Sequence, residues 1–238
     1  MLSSIKNELF MGYDKTQKIF YPALILLQIV VFFITRDNPI GVITGLAGII
    51  AVIMAAKGRI STAYFGFVQV SGYLYLSIQA NLPGEVMLNI FYLVSQFVVF
   101  YTWKNNRNKA ELTDKAEEVE SIKITRLQWV YNILGMVVTW IVFTKFLEFM
   151  GGSNPPVDSI TTTMSVFAQI HMIKRLSSQW VLWILVNGFT VYLWFLQGNV
   201  TMVAMWTGML LNSIYAWYIW DRKARKGNSQ MDKVIEAA

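Results

Sequence analysis

Two groups of side chains in the 238-residue chain have the types and spacing to hold a flat, polar small molecule. In GEVMLNIFYLVSQF, Asn89 and Gln96 stand seven residues apart, on one face of a helix and two turns from each other. In QWVLWILVN, Trp180, Trp183 and Asn187 follow an i, i+3, i+7 spacing and also share a face. A carboxamide both donates and accepts, so it can bond a hydroxyl or another carboxamide in either direction. An indole face stacks on an aromatic ring and attracts a cationic one. Together they suit a hydroxylated aromatic ligand, cationic or neutral. Trp180 follows Lys174 and Arg175, where an interfacial aromatic belt also places tryptophan. Trp183 lies about 4.5 Å deeper and Asn187 about 10 Å deeper along a helix, and a belt does not account for the asparagine.

More polar residues sit inside apolar sequence: Gln69, Asn132, Thr163, Ser165, Gln169 and Asn212 join Asn89, Gln96 and Asn187. An unpaired amide in hydrocarbon costs several kcal/mol, so each residue either bonds across helices or faces a wet cavity. Their number favours a substrate-sized cavity. Other chemistries lack their groups. There is no cysteine and a single histidine, His171, so no thiolate or histidine-rich metal centre is expected. Glu85, Glu148 and Asp158 fall at the edges of the apolar blocks, leaving no buried carboxylate relay for proton coupling. No phosphate-cradling Gly-rich loop with Lys-Ser/Thr is present, which argues against ATP drive from this chain. The expectation is a carrier or binder without cofactor or metal, and not an enzyme.

The elements that must position these groups are membrane helices. The chain is 55% hydrophobic and 14% charged, with a mean hydropathy of +0.45, whereas a soluble domain carries about a quarter charged residues. Apolar residues fall in eight blocks near 19–35, 40–56, 61–79, 86–103, 129–147, 160–173, 180–197 and 200–220. Hydrocarbon leaves backbone amides no external partner, so the blocks must be helical. The sixth, SITTTMSVFAQIHMI, is the least apolar and depends on its neighbours. Eight spans put nearly all basic residues on one side: of the 20 Lys and Arg, Arg36 and Lys145 alone fall near the other. The positive-inside bias then makes the crowded side, with both termini, cytoplasmic. The opening MLSSIKNELFMGYDKTQK reads as cytoplasmic or interfacial, and RKARK after the last block as a topology signal and anionic-lipid contact.

Shifting the chain by 117 residues pairs blocks two to four with blocks six to eight. Thr44 then meets Thr161, Ala51 meets Ala168, Ile53 meets Ile170, Lys57 meets Lys174, and Tyr101 and Trp103 meet Tyr218 and Trp220. The offset covers an even number of spans, so the two repeats are parallel. They imply a pseudo-twofold along the membrane normal with a site between the halves. The predicted fold is an all-α polytopic membrane protein of about eight transmembrane helices, two parallel three-helix repeats and a linking helix (3+1+3) plus an N-terminal helix. The divisions are an N-terminal segment over 1–39, repeats at 40–103 and 160–220, a loop and linking helix over 104–159, and a basic tail over 221–238.

The stretch TGLAGIIAVIMAAKGRISTAYFGFVQVSGYLYLSIQANLPGEVMLNIFYLVSQF resembles the first repeat of the PnuC family of vitamin-precursor transporters. DSITTTMSVFAQIHMIKRLSSQWVLWILVN resembles the second repeat, including its tryptophan-x-x-tryptophan motif, and the resemblance covers roughly 40–222. It implies a SWEET-like fold, a homotrimer in the inner membrane, and facilitated diffusion of nicotinamide riboside with trapping by a separate kinase. It further implies that Trp180 and Trp183 abut the nicotinamide ring, while Asn187, Asn89 and Gln96 bond the carboxamide or ribose, with Gln169 and Thr163 added from the sixth block. The family pattern leads one to expect an acidic residue before the motif, where this chain reads RLSSQ. Thiamine or riboflavin transport, and a sensor that binds without translocating, are the alternative functions.

Overall fold

The computed structural model describes residues 7–36, 38–80, 83–106, 118–151 and 155–236, with the side chains of Pro83, Val157 and residues 226–236 outside that description. Lys6 and the loop residues Arg107, Lys109 and Lys115, counted above in the charge map, lie outside it. Eight helices of 18 residues or more carry the described chain. They are α1 (Lys15–Thr35), α2 (Pro39–Lys57), α3 (Ser61–Gln79), α4 (Pro83–Asn105), α5 (Arg126–Phe149), α6 (Pro155–Ile173), α7 (Gln179–Leu196) and α8 (Val200–Glu236). By length and composition alone, α1, α2, α4, α5 and α7 can each cross a membrane. This is a multi-pass membrane protein. The starts follow local rules. Asp14 and Gln17 form a capping box on α1, and Thr125 and Gln128 do so on α5. Asn38 caps α2 ahead of Pro39.

Apolar residues end near Trp220, yet α8 continues to Glu236 through the stretch expected to be a tail. Its charged residues are good helix formers and it holds no proline, so the helix runs on through the weaker Gly227, Asn228 and Ser229. At 37 residues it is about 55 Å long, well beyond a hydrocarbon core of ~30 Å.

Six helices close in a ring: α2 packs on α3, α3 on α4, α4 on α6, α6 on α7, α7 on α8 and α8 on α2. Outside it, α1 lies against α2 and α8, and α5 against α6. No residue of α5 is buried, so its apolar surface faces the bilayer or a neighbouring molecule.

The ends of α2 and α6 are built alike. Gly58 N–H donates to Ala55 O at 2.9 Å and Arg59 N–H to Met54 O at 2.9 Å. Arg175 N–H donates to Met172 O at 3.0 Å and Leu176 N–H to His171 O at 2.9 Å, each 117 residues on. Both closures need a left-handed residue, with φ of 73° at Gly58 and 58° at Arg175. Glycine adopts that conformation freely; arginine does so at about 1–2 kcal/mol.

Around these turns lies the main core cluster, which includes Ala56, Ala63, Val99, Trp103, Met172, Trp180, Ala216 and Trp220. Trp103 Nε1 donates to Met172 O at 3.0 Å, joining the end of α4 to the end of α6. Trp220 Nε1 donates to Ala56 O at 3.0 Å, joining α8 to the end of α2. Residues 118–124 run across the same end. Val119 N–H donates to Gly58 O at 2.8 Å, Ile122 N–H to Arg175 O at 2.9 Å, and Ser177 N–H to Ile122 O at 2.9 Å. The segment thus straps the α2–α3 turn to the α6–α7 turn.

Candidate functional site

The expected site residues are supplied by three helices in series, α4, α6 and α7. All but Trp183 are buried, and Trp183 is half-buried. Three of the amides are tied to hydroxyls on neighbouring helices. Asn89 Nδ2 donates to Ser77 Oγ of α3 at 3.3 Å and to Glu85 O at 2.8 Å. Gln169 Nε2 donates to Ser95 Oγ of α4 at 2.8 Å. Asn187 Nδ2 donates to Ser213 Oγ of α8 at 2.9 Å. These bonds spend one side of each amide, and a carboxamide oxygen remains able to accept.

Other groups have no partner in the protein. Gln96 Oε1 and Thr163 Oγ1 are buried and unbonded, as are both polar atoms of Asn212 on α8. Each such group forfeits about 1–3 kcal/mol relative to a satisfied one. Gln96 sits on the backbone of α3: a Cβ on Gly66 would lie 2.7 Å from Gln96 Oε1, so the glycine makes the room its amide occupies.

The tryptophans divide. Trp180 is 2% exposed, its ring 6.1 Å from that of Trp220, which is itself 5.8 Å from Trp103. It is no lipid-facing belt residue; it packs on Trp220 of α8 within the core cluster that also holds Trp103 of α4 and Met172 of α6. Its Nε1 has no partner. Trp183 packs on the edge of the same cluster and is the less enclosed of the two. From the closed aromatic end, Trp180, Trp183 and Asn187 therefore lead along α7 towards the amides.

In the RLSSQ segment, Ser178 Oγ–H donates to His171 Nδ1 at 3.0 Å, while His171 Nε2–H donates to Asn132 Oδ1 of α5 at 2.8 Å. Asn132 Nδ2 already donates to Gln128 O at 2.7 Å, which leaves its oxygen as the acceptor and sets the neutral Nε2–H tautomer. His171 is thus a tie between α5, α6 and the start of α7. Gln179, next in the segment, is fully buried with both polar atoms unpartnered.

Charge gathers at the strapped end. Glu118 bridges Lys57 of α2 at 3.2 Å and Lys223 of α8. Burial alone would raise the Glu118 carboxyl, but Lys223 and Lys57 outweigh it and hold it below the usual carboxylate range. Arg59 is fully buried and donates to the carbonyls of Glu8 and Met11. Among the described residues no cluster of His, Asp and Glu could hold a metal ion.

Sequence reasoning picked out the amides but not the hydroxyls that orient them, Ser77, Ser95 and Ser213. Nor did it single out Gln179 or assign Asn212 to the site. Asn212 had a signal, an amide deep in an apolar block; the serines had none, because serine is common in membrane helices and bonds its own backbone.

A ring of membrane helices enclosing amides, hydroxyls and a tryptophan wall has the build of a small-molecule transporter rather than an enzyme. The nicotinamide mononucleotide transporter family model matches residues 38–222, and the chain belongs to that family. It is 33% identical over 232 residues to a nicotinamide riboside transporter PnuC of Neisseria mucosa, across 94% of this chain and 88% of that one. A protein of the same name from Haemophilus influenzae is 31% identical over 229 residues, across 96% and 99%. The crystal structure of the vitamin B3 transporter PnuC superposes with a TM-score of 0.82 at 32% identity, covering 95% of this chain and 99% of that one.

Proposed function

We propose that the protein carries nicotinamide riboside across the cytoplasmic membrane by facilitated diffusion, and that a separate kinase traps it inside. The observation that carries this reading is the set of buried, unpartnered polar atoms on Gln96, Thr163 and Asn212 in a membrane-spanning bundle. They call for a polar guest with hydroxyl and carboxamide groups, and the tryptophan faces suit its pyridinium ring. The family's description names the mononucleotide and the relatives' names the riboside; the residue chemistry favours the riboside. A phosphate dianion is held best by cationic donors, and the buried amides and tryptophans here are uncharged. In this reading Trp183, with Trp180 behind it, flanks the nicotinamide ring. Asn187, Asn89 and Gln96 bond carboxamide and ribose, and Gln169 and Thr163 complete the wall from α6.

The architecture proposed is eight spans in two parallel three-helix repeats, 40–103 and 160–220, with α1 ahead of them, the linking segment 104–159 between them and 221–238 after them. Support comes from the ring in which α4 meets α6 as α8 meets α2, and from turn closures 117 residues apart. Basic residues crowd the strapped end, which supports a cytoplasmic location for it and for both termini. A homotrimer follows from the family resemblance, with the unburied α5 available for contact.

Sealed liposomes containing the purified protein test the function. Labelled riboside should equilibrate with no ATP and no ion gradient, and unlabelled riboside should compete where the mononucleotide, thiamine and riboflavin do not. Accumulation above the external concentration, or binding with no flux, rules the proposal out.

A further inference from the structure

A cavity of about 350 Å³ lies outside the ring, between α1, α2, α3 and the residues that precede α1. Small-molecule sites run from ~300 to 1,000 Å³, so it is large enough to take a ligand. Ile25, Ile50, Ile53, Met54 and Phe65 make its wall almost wholly apolar. It belongs to neither the amide site nor the aromatic end, and it opens sideways: Phe10 at its rim is 73% exposed, and Lys18 and Pro22 are exposed as well.

Two polar features break the apolar lining. Tyr21 lines the cavity, is 3% exposed, and its hydroxyl has no hydrogen-bond partner in the protein. Pro22, inside α1, has no N–H to give the Lys18 carbonyl one turn back. A buried donor without an acceptor costs about 1–3 kcal/mol, and an apolar occupant such as a detergent tail would leave it unmet. The polarity also has an order. Along about 10 Å of α1 come the ammonium of Lys18, the hydroxyl of Tyr21 and the hydrocarbon of Ile25. Phosphate, ester and acyl chain follow in the same order down a phospholipid.

We propose that this cavity binds one anionic phospholipid from the leaflet at the basic ends of the helices. Its phosphate faces Lys18, with the exposed Lys15 one turn away; its glycerol ester accepts from Tyr21; and one acyl chain lies between α1 and α2 against Ile50 and Ile53. The lipid then acts as a wedge that fixes α1 on the ring, and its site is independent of which solute the ring carries.

The test is native mass spectrometry of the full-length, delipidated protein titrated with phosphatidylglycerol or phosphatidylcholine. One phosphatidylglycerol per chain should be retained in preference to phosphatidylcholine. Lys18→Ala should weaken that binding about fivefold, the effect of one basic charge near an anionic surface. Tyr21→Phe should weaken either lipid about fivefold, the effect of one hydrogen bond. Ile50→Trp, which fills the cavity, should abolish retention, and an unchanged affinity for the transported solute would report that this variant is folded. Equal retention of the two lipids, or wild-type retention in Lys18→Ala and Ile50→Trp, overturns the proposal. So does an efficient disulfide between two copies of Phe10→Cys, which would mean that another chain covers the cavity.

Discussion

Replacing Asn212 by leucine separates stability from binding. The residue is fully buried and neither atom of its amide has a partner. Each unmet group costs about 1–3 kcal/mol, so two of them set the penalty in the empty protein at roughly 2 kcal/mol or more. Leucine has a comparable shape and no polar atoms, so Asn212→Leu should stabilise the empty protein by about that amount. For a chain of this size this is a rise of about 4–8 °C in the thermal midpoint. The same change removes up to two hydrogen bonds to a bound solute and should weaken binding by about 2–3 kcal/mol, or roughly 30–150-fold. Thermal unfolding of the purified protein in detergent, with and without riboside, reads both effects. The variant should melt higher when empty and gain little from ligand at concentrations that stabilise the native protein. If the empty variant melts lower, Asn212 is satisfied within the protein. If its affinity stays within twofold of the native value, the amide does not face the solute.

Trp183→Ala should weaken solute binding by about 1–3 kcal/mol in calorimetry, the range for a lost stacking partner, with little loss of stability. Trp180→Ala removes a side chain that is 2% exposed and should cost about 3–5 kcal/mol of stability, read as a lower thermal midpoint. Gly66→Ala would put a Cβ 2.7 Å from Gln96 Oε1 and displace that amide, so flux in liposomes should fall at least tenfold while spans and expression persist. The Glu118 carboxyl has a depressed folded pKa, so its stabilisation is complete above the unfolded value of about 4.3 and is lost as pH falls through the lower folded value. Residues 118–124 should therefore be protected from hydrogen exchange, relative to the intrinsic rate at each pH, above the free carboxylate range and lose that protection below it, and Glu118→Gln should be weakly protected at every pH.

The helices were legible because a membrane leaves the sequence few options. The expected block 61–79 is α3, Ser61–Gln79, and 180–197 is α7 to within a residue at each end. The run from Asp221 to Glu236 was less legible, since charge marks the edge of the membrane and not the end of a helix. The turn between 173 and 180 was legible as a gap between apolar blocks, but the left-handed residue that closes it, Arg175, was hidden. Its counterpart is Gly58, and an arginine held left-handed by the packing around it carries no signature of its own. Trp180 shows the limit for the site. Position beside Lys174 and Arg175 gives depth in the bilayer, while facing lipid or facing Trp220 is decided by three other helices.

Trp103 donates to the last turn of α6, and Trp220 donates to the last turn of α2. Each pin crosses one of the two seams at which α4 meets α6 and α8 meets α2. If the two sides part at this end as rigid bodies across both seams, both pins are broken together. At about 1 kcal/mol apiece they disfavour the gaping conformer roughly 30-fold before any strap contact is counted. In the carrier proposed above, opening at this end is then rare, and a phenylalanine at either position should make it commoner while leaving solute affinity unchanged.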